Sequence, residues 1–237
     1  MRWIAAWLFL AVPAMAVTCE DVTFRDQSFT ACRVDARIEA LRLFHTDRNG
    51  EIYGSFDAVE GAPDVETLSF AMNAGMFHED RSPVGLYIEN GKLVRDIVTR
   101  EGPGNFGLLP NGLLCITDTS ARVIESLRYV AEQPDCRDAT QSGPMLVIDG
   151  ALHPRFLPDG TSRLIRNGVG TSDDYGIAVF VISNEPVSFH EFASFFRDHL
   201  GLNQALYLDG NVSRLYAPQL GRSDFGMQLG PIVGVID

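Results

Sequence analysis

Ala205-Leu206-Tyr207-Leu208-Asp209-Gly210-Asn211-Val212-Ser213 is the stretch on which the reading of the fold turns. Its apolar run suits a strand buried on both faces, and Asp-Gly then ends the strand in a turn. A carboxylate at the end of a buried strand is held by a rigid scaffold within reach of a ligand. The same Asp-Gly pattern can instead turn the carboxylate back onto its own backbone. Both readings stand for Asp209.

Three other segments repeat the pattern of glycine and polar residues at a probable strand end. They are Asn73-Ala74-Gly75-Met76-Phe77, Gln141-Ser142-Gly143-Pro144 and Arg166-Asn167-Gly168-Val169-Gly170. Glycine at such places lets the backbone adopt positive φ or lie close to a ligand. Arg166 offers a planar fork suited to phosphate or carboxylate, and N–H groups around the glycines can add donors. Asn73 carries both donor and acceptor for sugar hydroxyls, and Phe77 can cover a sugar face. No Walker loop, dinucleotide fingerprint or nucleophile elbow occurs, so Ser142 reads as a binding or structural hydroxyl. The five histidines lack metal-binding spacing, and His78 gains interest only by adjoining Phe77.

Around these segments the chain reads as strands with turn punctuation. Arg37 to Phe44 alternates, Asn90-Gly91 marks a hairpin, and Pro110-Asn111-Gly112 suggests another between Leu108-Leu109 and Leu113-Leu114. Met145 to Ile148 and Ile177 to Ile182 are further buried strands. Ser188 and Glu191 form a capping-box pattern, followed by Phe189, Phe192, Phe195, Phe196 and Leu200 on one helical face, with Gly201 to close it. A second helix is expected over Thr119 to Ala131. The fold class that follows is α+β: one domain with a strand-rich mixed or antiparallel sheet and packed helices.

Residues 1–16 read as a signal peptide, with Arg2, an apolar stretch and Ala14-Met15-Ala16 as the cleavage site. Cleavage would leave residues 17–237 as the domain, periplasmic or secreted, with no stable membrane anchor. The chain carries 19 Lys and Arg against 31 Asp and Glu, a net charge of −12, without a basic run. Such a field repels nucleic acid, although a local basic pocket can still hold a phosphate. Cys19, Cys32, Cys115 and Cys136 suit disulfides in an oxidising compartment, with three connectivities open. Pairing Cys19 with Cys32 and Cys115 with Cys136 would staple the N-terminus and close a mid-chain loop.

The chain resembles the phosphodiester glycosidase family. The resemblance runs over roughly 68–217 and rests on three matches. Asn73 to Phe77 resembles the family's N-G-G-F-F segment, Arg166 to Gly170 its R-T-A-x-G segment, and Asp209 to Ser213 its D-G-G-G-S-S segment. Ala74, Asn167, Gly168, Asn211 and Val212 depart from those patterns in the manner of a bacterial subgroup. The resemblance implies hydrolysis of a sugar-1-phosphodiester on a carbohydrate or glycan substrate, without a cofactor. Asp209 and Arg166 would be catalytic, with Asp209 at the anomeric centre and Arg166 on the phosphate. Asn73, Phe77, Gln141, Ser142, Asn167, Asn211 and Ser213 would bind the sugar, with Gly75, Gly143, Gly168, Gly170 and Gly210 shaping the walls. Two other readings are a glycan-binding module without turnover and a metal-dependent phosphodiesterase using Asp149, Asp173, Asp174 and Asp209.

Overall fold

Alternating and continuous apolar runs build three antiparallel sheets that share one core, as described by a computed structural model for residues 17–236. The leader expected over residues 1–16 lies outside the described residues. The largest sheet runs Thr18–Phe24, Gln27–Asp35, Ile177–Ser183, Asn167–Thr171, Gln204–Asp209, Met145–Ile148 and Ala151–Leu152. A second sheet orders Arg222–Ser223, Leu215–Ala217, Leu68–Asn73, Ile232–Ile236 and Ala40–Phe44. The third orders Lys92–Arg95, Tyr87–Glu89, Asp138–Ser142, Gly112–Ile116 and Ala121–Glu125. Val169, Phe180 and Leu206 from the first sheet meet Phe70, Met72 and Val233 from the second and Leu114 and Val123 from the third.

The architecture is mostly β with some helices, which keeps the strand-rich part of the α+β expectation while the helices stay few and short. One helix does cover the outer face of the large sheet. Ser188 and Glu191 make the capping box, the helix spans Phe189–Ser194, and a π-helical turn continues over Phe195–His199. Phe192, Phe195 and Phe196 are buried there, and Phe195 stacks on Phe29 with ring centroids 4.2 Å apart. Gly168 and Gly170 leave room for the other two rings of this helix. A Cβ on Gly168 would lie 3.1 Å from Phe192, and one on Gly170 would lie 2.9 Å from Phe196.

Three local expectations differ from the structure. The strand expected from Arg37 begins at Ala40, because residues 36–39 form a turn that leaves Ile38 63% exposed. Pro110-Asn111-Gly112 joins no hairpin: Gly112 already belongs to a strand that pairs with Ala121–Glu125 on one side and Asp138–Ser142 on the other. That pairing also claims the front half of the helix expected over Thr119 to Ala131. Ala121–Glu125 is a strand, and only Ser126–Glu132 is helical, with the Glu125 side chain as its cap. The hairpin at Asn90-Gly91 forms with φ of 51° and 74°, the left-handed pair that such turns require.

The disulfides are Cys19–Cys32 and Cys115–Cys136. The first joins directly paired residues of the two N-terminal strands, and the second closes a loop from the third sheet. Among the described residues no helix is long and apolar enough to cross a membrane.

Candidate active site

The four glycine-bearing segments converge at one end of the sheets. Asn73 ends a strand of the second sheet, and Asn167 opens a strand of the first, where it pairs with Asp209. The Asn167 carboxamide donates to the Asn73 carbonyl at 3.0 Å and to Asn73 Oδ1 at 2.9 Å. Ser142 Oγ donates to the Leu208 carbonyl at 2.9 Å, and Thr140 Oγ1 donates to the Ala74 carbonyl at 2.8 Å. Gly75, at φ 141°, sits against Thr140, Gln141 and Ser142, so the first two segments touch. Polar side chains lock three sheets together here because each buried donor must find an acceptor.

The register between Asn167–Thr171 and Gln204–Asp209 shifts at this point: Asn167 faces Asp209, whereas Gly168 faces Tyr207. Such an irregularity bends a strand and re-aims its last side chain. Asp209 lines a cleft of about 580 Å³ together with Phe77, His78, Glu79, Asn105, Phe106, Tyr207, Gly210 and Asn211. That volume lies within the usual small-molecule range of about 300–1,000 Å³. Asp209 Oδ1 accepts from the N–H groups of Gly210 at 2.5 Å and Asn211 at 2.7 Å, which fixes the carboxylate. Burial raises its pKa above the ordinary aspartate value, while the backbone donors of Asn211, Gly210 and Val212 oppose that rise. Asp209 thus caps its own turn and at the same time lines the cleft.

Arg166 is placed differently from the expectation. It is fully buried, and its guanidinium donates to the Val187 carbonyl at 2.9 Å, the Ser162 carbonyl at 2.9 Å and the Tyr207 hydroxyl at 3.2 Å. Its charged plane lies 3.8 Å from the Phe189 ring centroid. These contacts turn its fork into the protein, behind Tyr207, rather than toward the cleft. Gln141 is likewise occupied: its oxygen accepts from Leu86 and Val98 N–H, and its nitrogen donates to Val98 O and Ser126 Oγ. Asn73, Gly75, Ser142, Gly143, Asn167, Gly168 and Gly170 form the frame behind the cleft. Gly143 matters through close approach, since a Cβ there would lie 2.7 Å from Asn111 Cβ. Phe77, Asp209, Gly210 and Asn211 line the cleft itself, and Ser213 lines an adjoining pocket.

Tyr207 is the cleft residue that the sequence reading passed over as part of an apolar run. It stands two residues before Asp209, and its hydroxyl is met by Arg166 and by the Asn105 side chain. Alternation along a strand was the available signal. The carboxylates of the phosphodiesterase reading are not gathered: Asp149 pairs with Arg128, Asp173 binds Asn203, and Asp174 binds Ser172. Among the described residues no three His, Cys, Asp or Glu side chains form a metal-binding group.

Comparison with known proteins gives both sequence and fold relatives. The family model for phosphodiester glycosidases matches residues 66–225. An uncharacterized Escherichia coli (strain K12) protein, YigE, is 34% identical over 217 residues, covering 88% of this chain and 84% of that protein. The fold is similar to the catalytic domain of zebrafish N-acetylglucosamine-1-phosphodiester alpha-N-acetylglucosaminidase, auto-inhibited by its pro-peptide. That match has a TM-score of 0.64 and 14% identity over 97% of this chain and 85% of the other. A hypothetical protein from Synechocystis matches with a TM-score of 0.56 and 13% identity, over 93% of this chain and 62% of the other.

Proposed function

The chain belongs to the phosphodiester glycosidase family, and from that membership we propose that it hydrolyses the glycosidic C–O bond of a sugar-1-phosphodiester. The products are the free sugar and a phosphate left on its carrier. The observation that carries the reading is Asp209: a partly desolvated carboxylate, fixed by two backbone N–H groups, at the wall of an aromatic-lined cleft. Glycoside cleavage passes through an oxocarbenium-like state, which a fixed carboxylate stabilises or attacks. The phosphate monoester of the carrier departs as a stable anion and needs less proton assistance than an alkoxide. In this reading Glu79, which lines the same cleft, serves the incoming water, and Phe77 and Asn211 hold the sugar. Arg166 acts through Tyr207 as a positioning residue. The two disulfides support a periplasmic or secreted setting.

The test is product analysis with N-acetylglucosamine-1-phospho-methylmannoside, with and without a chelator. Free N-acetylglucosamine in both samples is expected, and Asp209→Asn should abolish it while the circular dichroism spectrum is unchanged. Release of sugar-1-phosphate would overturn C–O cleavage. Full turnover by Asp209→Asn would remove Asp209 from the mechanism.

A further inference from the structure

Arg214 is a buried cation with unspent donors. It follows Ser213 in the segment that begins with Asp209, and only 9% of it is exposed. Its backbone N–H donates to Asn73 Oδ1 at 2.9 Å, but its guanidinium makes no hydrogen bond or ion pair with any described residue. Arg166 shows the contrast, since its fork is satisfied by two carbonyls and a hydroxyl. A guanidinium carries five N–H donors, and those of Arg214, which are not sealed from solvent, open onto the adjoining pocket and find no partner among the described residues.

Arg214 lines a pocket of about 440 Å³ that adjoins the Asp209 cleft, with Asn211, Val212 and Met227 lining both. The pocket's other charges are Arg222 and Asp224. Asp224 exerts an electrostatic pull on Arg214, yet its oxygens are engaged by Arg222 at 2.9–3.2 Å and by the Leu215 N–H at 3.0 Å. Two guanidinium groups against one carboxylate leave a net positive pocket on a chain of net charge −12. Gly226, at φ 146°, passes over the Arg214 fork, where a Cβ would come within 2.8 Å of Nη2. The backbone is thus shaped around this side chain.

We propose that Arg214 forms the phosphoryl subsite of this protein, binding the non-bridging oxygens of the diester while the sugar lies in the Asp209 cleft. The planar fork matches two such oxygens, and an anion would supply the partner that the protein withholds. The sugar placement rests on the hydrolase reading above; the anion site stands on Arg214 and its pocket.

The experiment is titration of the mature chain with dimethyl phosphate, followed by ³¹P NMR, on the wild type, Arg214→Met, Arg214→Lys and Arg166→Lys. Saturable binding by the wild type is expected, weakened about 10- to 100-fold in Arg214→Met by the loss of charge-assisted hydrogen bonds. Arg214→Lys should fold and bind with intermediate strength, which keeps the result readable if Arg214→Met unfolds. Arg166→Lys should retain binding. Wild-type affinity in folded Arg214→Met, absence of saturable binding in the wild type, or equal affinity for acetate would each overturn the phosphoryl assignment. Phosphate binding without hydrolysis would count against the hydrolase reading alone. Hydrolysis whose KM is unmoved by Arg214→Met and Arg214→Lys would count against Arg214 alone.

Discussion

Replacing Arg166 by Lys separates a frame residue from a ligand residue. Arg166 places three donors on Val187 O, Ser162 O and Tyr207 Oη while its plane lies over Phe189. An ammonium is a point charge on a flexible stem and cannot span that fork. At least one buried acceptor is then left without its donor, a cost of about 1–3 kcal/mol. For a domain of this length each kcal/mol lowers Tm by roughly 2–4 °C, so a fall of about 2–12 °C is expected. Differential scanning calorimetry of the protein reads that fall. Steady-state kinetics on the phosphodiester should show a modest drop in kcat, through a displaced Tyr207, with little change in KM. An unchanged Tm with a large rise in KM would refute this reasoning and make Arg166 a direct phosphate ligand.

Other substitutions probe different parts of the scaffold. Burial raises Asp209's folded pKa, so the folded state binds extra proton above pH 3.8 and loses stability as pH rises through the folded value. Asp209→Asn should therefore melt higher than wild type at pH 7, equal it near pH 3, and lack turnover; a lower Tm at pH 7 would contradict the burial argument. Glu89, whose pKa burial lifts from 4.5 to about 7, should cost stability across that interval. Glu89→Gln should then gain up to about 3 kcal/mol at pH 8 and nothing at pH 4, as read by urea unfolding. Gly168→Ala would put a Cβ 2.7 Å from the Leu206 carbonyl, and overpacking should cost about 1–3 kcal/mol by the same unfolding assay. Removing Cys115–Cys136 by double Ala substitution should cost about 2–5 kcal/mol, and an unchanged midpoint would show that the bridge is dispensable.

Local chemistry made part of this fold readable. Asn-Gly at 90–91 and the Ser188–Glu191 box carry their conformations in the residues themselves, and both form. Ala121–Glu125 shows where that information ends. Its apolar residues face two cores, so the run lacks clean alternation, and pairing with Gly112–Ile116 overrides the helical pattern. The site divides in the same way. Glycine and polar residues at strand ends marked the region, and Asn73, Asn167 and Asp209 do meet there. Which side chains reach the cleft depends on partners distant in sequence. The fork of Arg166 is consumed by Ser162, Val187 and Tyr207, whereas Arg214 is left unspent among residues that include Asp224 and Gly226. Nothing adjacent to either arginine distinguishes the two.

The short run from Asp209 to Arg214 spans both the cleft and the adjoining pocket. Ser213 Oγ fastens it to the Ile165 carbonyl, and Asn73 fastens its end through the Arg214 N–H. Six consecutive residues thus act as a ruler between a carboxylate and a cation, clamped at its far end. Relatives that kept the sheets and exchanged only this ruler would accept a different spacing between sugar and anion. New substrate preferences could then arise by swapping one cassette, with the rest of the protein inherited unchanged.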